Sequence, residues 1–200
     1  MTELIDIIHF EELSRRDPID VCRRALCKYD DMNESYTLSA WGDDYRIFPN
    51  QLKISCMGNN SQRMHDYFYL FMIHYLLQSR ETEPFKEWIS EKDIPGGPTF
   101  FRGPHEIPTR WISNRFNDNI DEFKARCEQL HGIRLNMADA AYRFRITPRI
   151  PAAVLYWLGD ENFPAEAKIL YDRTIADHLA ADIVYALAVA ICERIGRHRG

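Results

Sequence analysis

Tyr142-Arg143-Phe144-Arg145-Ile146-Thr147-Pro148-Arg149-Ile150-Pro151-Ala152-Ala153-Val154-Leu155-Tyr156-Trp157-Leu158 decides the fold class. Tyr142, Phe144 and Ile146 alternate with Arg143, Arg145 and Thr147, the period-two pattern of a strand with one buried face. Pro148 breaks the run, and Ala152–Leu158 is then almost continuously apolar. That second run predicts a central strand covered on both faces. Lys168-Ile169-Leu170-Tyr171 adds a short strand, and Asp182–Ile195 closes the chain as an amphipathic helix with Val184, Leu187, Ala188, Ile191 and Ile195 inward.

Working back from this stretch, the period changes to that of helices. Asn119 and Glu122 are spaced as a capping box for a helix over Ile120–His131, with Gly132 as its stop. Ile120, Phe123, Cys127 and Leu130 form its apolar stripe. A further helix is predicted at Thr109–Phe116. Met64–Gln78 is nearly all apolar and is expected as a core helix packed on the Ala152–Leu158 strand, with His74 buried and hydrogen-bonded on it. Tyr36–Trp41 and Tyr45–Phe48 read as a β-hairpin around Gly42-Asp43-Asp44, Leu52–Cys56 as a third strand, and Gly58–Ser61 as a loop. Helices open the chain, over Glu3–Leu13 and after the Asp17-Pro18 start signal, where Ile19, Cys22 and Leu26 share a face. Strands at both ends with helices between them predict an α+β fold: one antiparallel or mixed sheet packed with helices, a single domain over residues 1–200.

Composition narrows the function classes. The chain is 46% hydrophobic and 12% aromatic, enough to build a core. A net charge of −5 lacks the basic excess that phosphate neutralisation needs, so a nucleic-acid partner is not expected. The Met1–Asp6 start has no basic n-region and no apolar stretch is long enough to span a bilayer, so neither a signal peptide nor a membrane partner is expected. The five cysteines (Cys22, Cys27, Cys56, Cys127 and Cys192) are odd in number and scattered, which predicts free thiols in the cytoplasm. Cys22 and Cys27 are expected on different faces of one helix, and Cys56, at the end of the expected third strand, is expected to be inert. No metal site is predicted, and no cofactor is specified.

Four features carry candidate chemistry. The Ile94–Pro108 segment holds Gly96 and Gly97, then Phe100, Phe101, Arg102 and His105 among four prolines. Such a loop suits a rigid ligand site, with backbone N–H groups and Arg102 for an anion and Phe101 for a flat ring, or else a structural loop pinned by its phenylalanines. Arg143 and Arg145 lie on one strand face, with Arg149 just beyond; their repulsion needs a ligand anion or protein carboxylates such as Asp139 or Glu161. Gly159–Pro164 places Asp160 and Glu161 at a strand end, suited to acid–base chemistry or to an ordinary turn. Asp172, Asp177, His178 and Asp182 form an acidic run in which His178 and Asp182 would share a face if one helix held both. No nucleophile elbow, HExxH or phosphate-loop motif occurs.

Three stretches together resemble the uncharacterised family "domain of unknown function 3786": Gly96-Gly97-x-x-Phe100-Phe101-Arg102-Gly103-Pro104-His105, Asp139–Phe144 and Gly159–Ala167. Ile169–Asp172 with His178-Leu179 fits the family's C-terminal part, so the resemblance covers nearly the whole chain. It implies a setting in anaerobic bacteria and archaea, and through relatives with a cysteine-rich extension it implies an iron–sulfur or corrinoid protein partner. This chain lacks that cysteine cluster. The expectation is a cytoplasmic module for an anionic small molecule or a tetrapyrrole- or corrinoid-type cofactor. Gly96–His105 and the Arg143/Arg145 strand are expected to line one concave site. The alternatives are an enzyme using Asp160 or Asp172 with His178 or His105, or a protein-interaction module.

Overall fold

A computed structural model describes residues 5–58 and 64–197. The start of the chain, to Leu4, and the 59–61 part of the expected Gly58–Ser61 loop lie outside the described residues. In chain order the elements are α1 (Ile7–Ser14), α2 (Pro18–Ala25), β1 (Lys28–Asp30), β2 (Ser35–Ala40), β3 (Asp43–Phe48), β4 (Lys53–Cys56), α3 (Asp66–Gln78), β5 (Trp88–Ile89), α4 (Gly97–Phe100), α5 (Arg110–Phe116), α6 (Ile120–Gln129), β6 (Ile133–Leu135), β7 (Ala140–Arg145), β8 (Pro151–Trp157), β9 (Glu166–Asp172), α7 (Ile175–His178) and α8 (Ala181–Gly196).

The class is α+β, but the strands divide between two antiparallel sheets where one was expected. One runs β1-β2-β3-β4, the other β5-β9-β8-β7-β6. The first is a chain of successive hairpins. Trp41 and Gly42 both have positive φ (48° and 86°) and form the two-residue turn between paired Ala40 and Asp43, the geometry that matches strand twist. The backbone N–H of Trp41 then donates to Ile146 O at 2.8 Å and ties the two sheets together. In the second sheet β8 is the middle strand, as its apolar run predicts.

Faces follow the pleat. Tyr142, Phe144, Val154, Tyr156, Ile169 and Tyr171 turn inward to a core shared with both sheets and with α3 and α8. Leu155 does not belong to that core. It sits with Ala141 and Ala153 on the outer face, beneath half-buried Trp88, Leu135, Met137, Trp157 and Leu170. The helices share the core of the opposite face, with Val154 and Tyr156, so Leu155 is not among the residues that α3 packs with. Nor is α8 amphipathic in practice. Nearly every residue from Ile183 to Gly196 is buried, and at its C-terminus Gly196 lies so near α5 that a Cβ would stand 2.4 Å from Trp111 O.

The α2 start signal works as read, with Asp17 Oδ1 accepting from Ile19 N at 3.1 Å. Its buried face is different: Val21 and Ala25 are inward, while Ile19 and Leu26 are exposed. The reason is termination. Leu26 adopts the left-handed conformation (φ 51°) and ends the helix, so the period cannot be extended through it. Cys27 N reaches back to Cys22 O at 3.3 Å, the six-to-one bond of a Schellman-type ending. That turn brings Cys22 and Cys27 together, Sγ to Sγ 3.7 Å, and corrects the expectation of different faces. At the end of α6 the left-handed residue is His131 (φ 61°). Gly132 is required for another reason: a Cβ there would meet Cys127 O at 2.8 Å.

Candidate functional site

The segment after β5 is built to hold its shape. Ser90 N and Oγ both donate to Asp93 Oδ2, at 2.8 and 2.7 Å, and these bonds hold the Asp93 carboxyl below its ordinary range. Gly96 has φ 75°. Gly97 is buried, and a Cβ on it would stand 2.0 Å from Glu91 O, so only glycine fits this crossing. Phe101 packs against the core with Phe100 edge-on at 5.1 Å. His105 stacks on Phe100 at 4.5 Å, and Tyr185 Oη donates to Pro104 O at 3.2 Å. Prolines, ring contacts and a buried glycine thus give the loop the rigidity its composition predicts.

Between this segment and β9 lies a cleft of about 590 Å³, within the range of small-molecule sites. Gly97, Phe101, Ile107 and Ile169 supply its apolar wall, Lys92, Arg102 and Lys168 its cations, and Glu91, Glu106 and Glu166 its carboxylates. Among the described residues none of the three cations makes an ion pair within 4 Å. The strand edge at the cleft is open too. β5 pairs with β9 only at Tyr171 and Asp172, so among the described residues Glu166–Ile169 have no partner strand on that side. Open edges present backbone donors and acceptors to whatever binds there.

Of the residues singled out from sequence, Gly97, Phe101 and Arg102 line this cleft, and Gly96 forms the turn into it. His105 turns away into a smaller hollow of about 320 Å³ with Tyr67, Phe100, Asp182 and Tyr185. Arg145 lines a third hollow, about 410 Å³, with Asp43, Asp44 and His131. Arg143 is exposed on the outer sheet face, opposite Ala153 and Ile133. No described pocket holds both the loop and the strand arginines, and the expected common site is corrected. The cause is topology: β8 separates β7 from β9, and two strand spacings put them about 10 Å apart.

The remaining candidates have structural partners. Asp160 Oδ1 accepts from Asn162 N (2.7 Å) and Phe163 N (2.8 Å), closing a turn. Asp172 is buried and accepts from Phe85 N, Lys86 N, Thr174 N and Thr174 Oγ1 at 2.7–3.1 Å. Burial opposes its charge, but these donors outweigh burial and its pKa falls below the usual carboxylate value. His178 is buried and its Nδ1 accepts from Arg80 N at 3.2 Å; burial lowers its pKa. It ends α7, and Ala180 is extended (ψ 159°) before α8 begins, so His178 and Asp182 do not share a helix. His74 is half-buried, edge-on to His9 at 4.5 Å and 3.1 Å from Gln78 Nε2.

Arg149 has a structural place the sequence did not reveal. It is 4% exposed, donates through Nε to Arg24 O at 2.6 Å and through Nη2 to Arg23 O at 3.3 Å, and pairs with Glu83. Tyr75 Oη donates to Ala25 O at 2.9 Å. The last carbonyls of α2, from Cys22 to Ala25, all have donors, as a buried helix end requires. At the end of α8, Arg126 Nη2 bonds Arg194 O at 2.6 Å and Arg115 Nη1 bonds Ile195 O at 2.8 Å. Sequence reading also passed over Lys92, Lys168 and the three glutamates of the cleft. Their only signal was outward alternation along β9 and adjacency to the glycine pair.

Among the described residues no helix is long and apolar enough to cross a membrane, and no group of three His, Cys, Asp or Glu side chains is placed to hold a metal ion. A family described as "Domain of unknown function (DUF3786)" matches residues 17–194, nearly the whole chain, and the chain belongs to that family. No curated protein and no solved structure matches it significantly.

Proposed function

We propose that this member of the family is a cytoplasmic small-molecule-binding module, and that its ligand places an anionic group among Lys92, Arg102 and Lys168. The observation that carries this reading is the rigid cleft in which three cations stand without ion pairs beside an open strand edge. Arg102 supplies a planar fork for a carboxylate or phosphate. Phe101 and Ile107 take an apolar part, and the glutamates favour a ligand that also carries donors. The corrinoid or tetrapyrrole class, an iron–sulfur or corrinoid protein partner and an anaerobic setting rest on the family resemblance alone. Among the described residues the cleft wall contains no His, Cys or Met to act as an axial metal ligand. Such a macrocycle would have to be held by its peripheral carboxylates.

Acid–base catalysis is the weaker reading, because Asp160 and Asp172 are committed to turns and buried hydrogen bonds and His178 is buried with its Nδ1 bonded to Arg80 N, in none of the described pockets. A protein-interaction reading draws on the outer sheet face, where half-buried Trp88 and Trp157 flank Leu155.

Thermal-shift titration with phosphate, sulfate, di- and tricarboxylates, sugar phosphates and nucleotides tests the proposal. At least one anion should raise Tm in a saturable way. Arg102→Ala should weaken that anion about ten- to a hundredfold, the worth of a charged hydrogen bond, with the unliganded Tm unchanged. Equal affinity in wild type and Arg102→Ala would overturn the cleft assignment.

A further inference from the structure

We propose that Cys22 and Cys27 are a thiol-modification site that closes reversibly into a disulfide. The geometry comes from the ending of α2. With Leu26 left-handed, Cys22 lies one turn before the helix end and Cys27 just past it. The Schellman-type ending brings the side chains at these two positions into contact; in most helices that contact is apolar, and here it is sulfur on sulfur at 3.7 Å. A disulfide needs about 2.05 Å, so the sulfurs must close by about 1.7 Å.

The other thiols are placed differently. Cys127 and Cys192 are buried, whereas Cys22, Cys27 and Cys56 are partly exposed, and Cys56 ends β4. Burial pushes the Cys27 thiol up strongly; burial also raises Cys22, whose shift is the smaller. The Cys27 thiol donates to Cys22 Sγ, which favours the thiolate on Cys22 and makes it the attacking sulfur, with Cys27 the resolving one.

The oxidant is a low-molecular-weight disulfide, RSSR. The Cys22 thiolate attacks one sulfur, the S–S bond of RSSR breaks, and the other sulfur leaves as RS⁻ with the electron pair and takes up the proton that Cys22 gave up. Cys27, giving up its proton, attacks Cys22 Sγ and expels the second RS⁻, which is protonated in turn. Two protein thiols are oxidised and one small disulfide is reduced to two thiols. The bridge fastens the end of α2 to the residue before β1, the same corner held by Arg149 and Tyr75. Oxidation therefore ties the end of α2 to an edge strand.

The full-length protein is incubated with oxidised glutathione, alkylated and mapped by mass spectrometry. Free thiols should fall from five to three, with a Cys22–Cys27 bridge and the loss of two hydrogen atoms, and dithiothreitol should restore all five. Cys27→Ser should stop at glutathione on Cys22. Cys22→Ser should acquire no bridge. Five free thiols after incubation, a bridge to Cys56, or a lasting glutathione adduct on wild-type Cys22 would each refute the pairing. The thiol count on wild type stands even if a variant folds poorly.

Discussion

Replacing Arg149 by alanine should be among the most damaging single changes outside the apolar core. Its guanidinium is donor to two carbonyls at the end of α2, and its side chain is 4% exposed. Alanine leaves two part-buried carbonyls without their donor, at up to about 1–3 kcal/mol each. Glu83 adds little, because its side chain is 74% exposed and a charge in water that loses its partner costs about 0–1 kcal/mol. A loss of about 4 kcal/mol corresponds to a fall in Tm of about 8–16 °C for a chain of this size. Arg149→Lys should recover less than half, since an ammonium cannot serve two carbonyls and a carboxylate in one plane. Glu83→Gln is the control, expected within about 1 kcal/mol of wild type. Thermal and urea denaturation monitored by circular dichroism give both quantities. If Arg149→Ala melted within about 2 °C of wild type, the carbonyl-capping assignment would fail. If Glu83→Gln cost as much as Arg149→Ala, the ion pair and not the cap would be the source of stability.

Gly97→Ala places a methyl group against Glu91 O and should cost about 1–3 kcal/mol as an overpacking change, with loss of anion binding in the thermal-shift titration. Leu155→Ala should fall at the low end of the 2–5 kcal/mol range for buried leucines, because its outer-face cluster is small and roofed by side chains that can settle; a Tm drop larger than that of Val154→Ala, in the main core, would contradict the face assignment. Stability should also fall on acidification. His74 and His178 have folded pKa values below the ordinary 6.5, so below that pH the unfolded chain binds protons the fold does not, and stability is lost as pH drops through this window. Asp172, lowered from 3.8, contributes stability above that value and loses it as pH falls through its folded pKa. A Tm that stays flat between pH 7 and pH 5 would count against the histidine assignments, and the His74→Gln/His178→Gln double variant should flatten the wild-type slope.

What sequence could show was whatever a few adjacent residues decide. Asp17-Pro18, the Asn119 cap and the alternation of Tyr142 with Arg143 are local devices, and each forms where the pattern places it. The hairpin forms too, but its turn is Trp41-Gly42 and not the expected Gly42-Asp43-Asp44, because Asp43 and Asp44 already pair with Ala40 and Ser39; the capping box is half made, since Asn119 N donates to Phe116 O. Pairing is not local. Nothing in the residues of β5 says that it lies beside β9, or that β8 stands between the strand arginines and the glycine loop. The expected shared anion site failed on that point. The Cys22–Cys27 contact was misread for a related reason: helical period was extended across Leu26, whose left-handed backbone leaves no mark in a leucine's chemistry. His178 and Asp182 were joined by the same extrapolation across Ala180.

Burial separates the arginines whose function is structural from those that remain available. Arg149 is fully enclosed, and Arg115 and Arg126 are held at the end of α8; all three donate to main-chain carbonyls at helix ends, because a desolvated cation without such partners would be too costly to keep. Arg102 and Lys92 are exposed, and Lys168 is half-buried. Their charge is affordable in water, so the fold does not require them to be paired. The loop that faces Lys168 across the cleft has no need of these cations for its own stability: it stands on Gly97, the prolines and the Phe100–His105 stack. Side chains that stability does not require, fixed by a backbone that stability does, are the arrangement in which a ligand finds its partners already in place. The same reasoning sets Arg143 apart. It too is exposed, but it lines none of the described pockets, and an anion there would be screened by solvent.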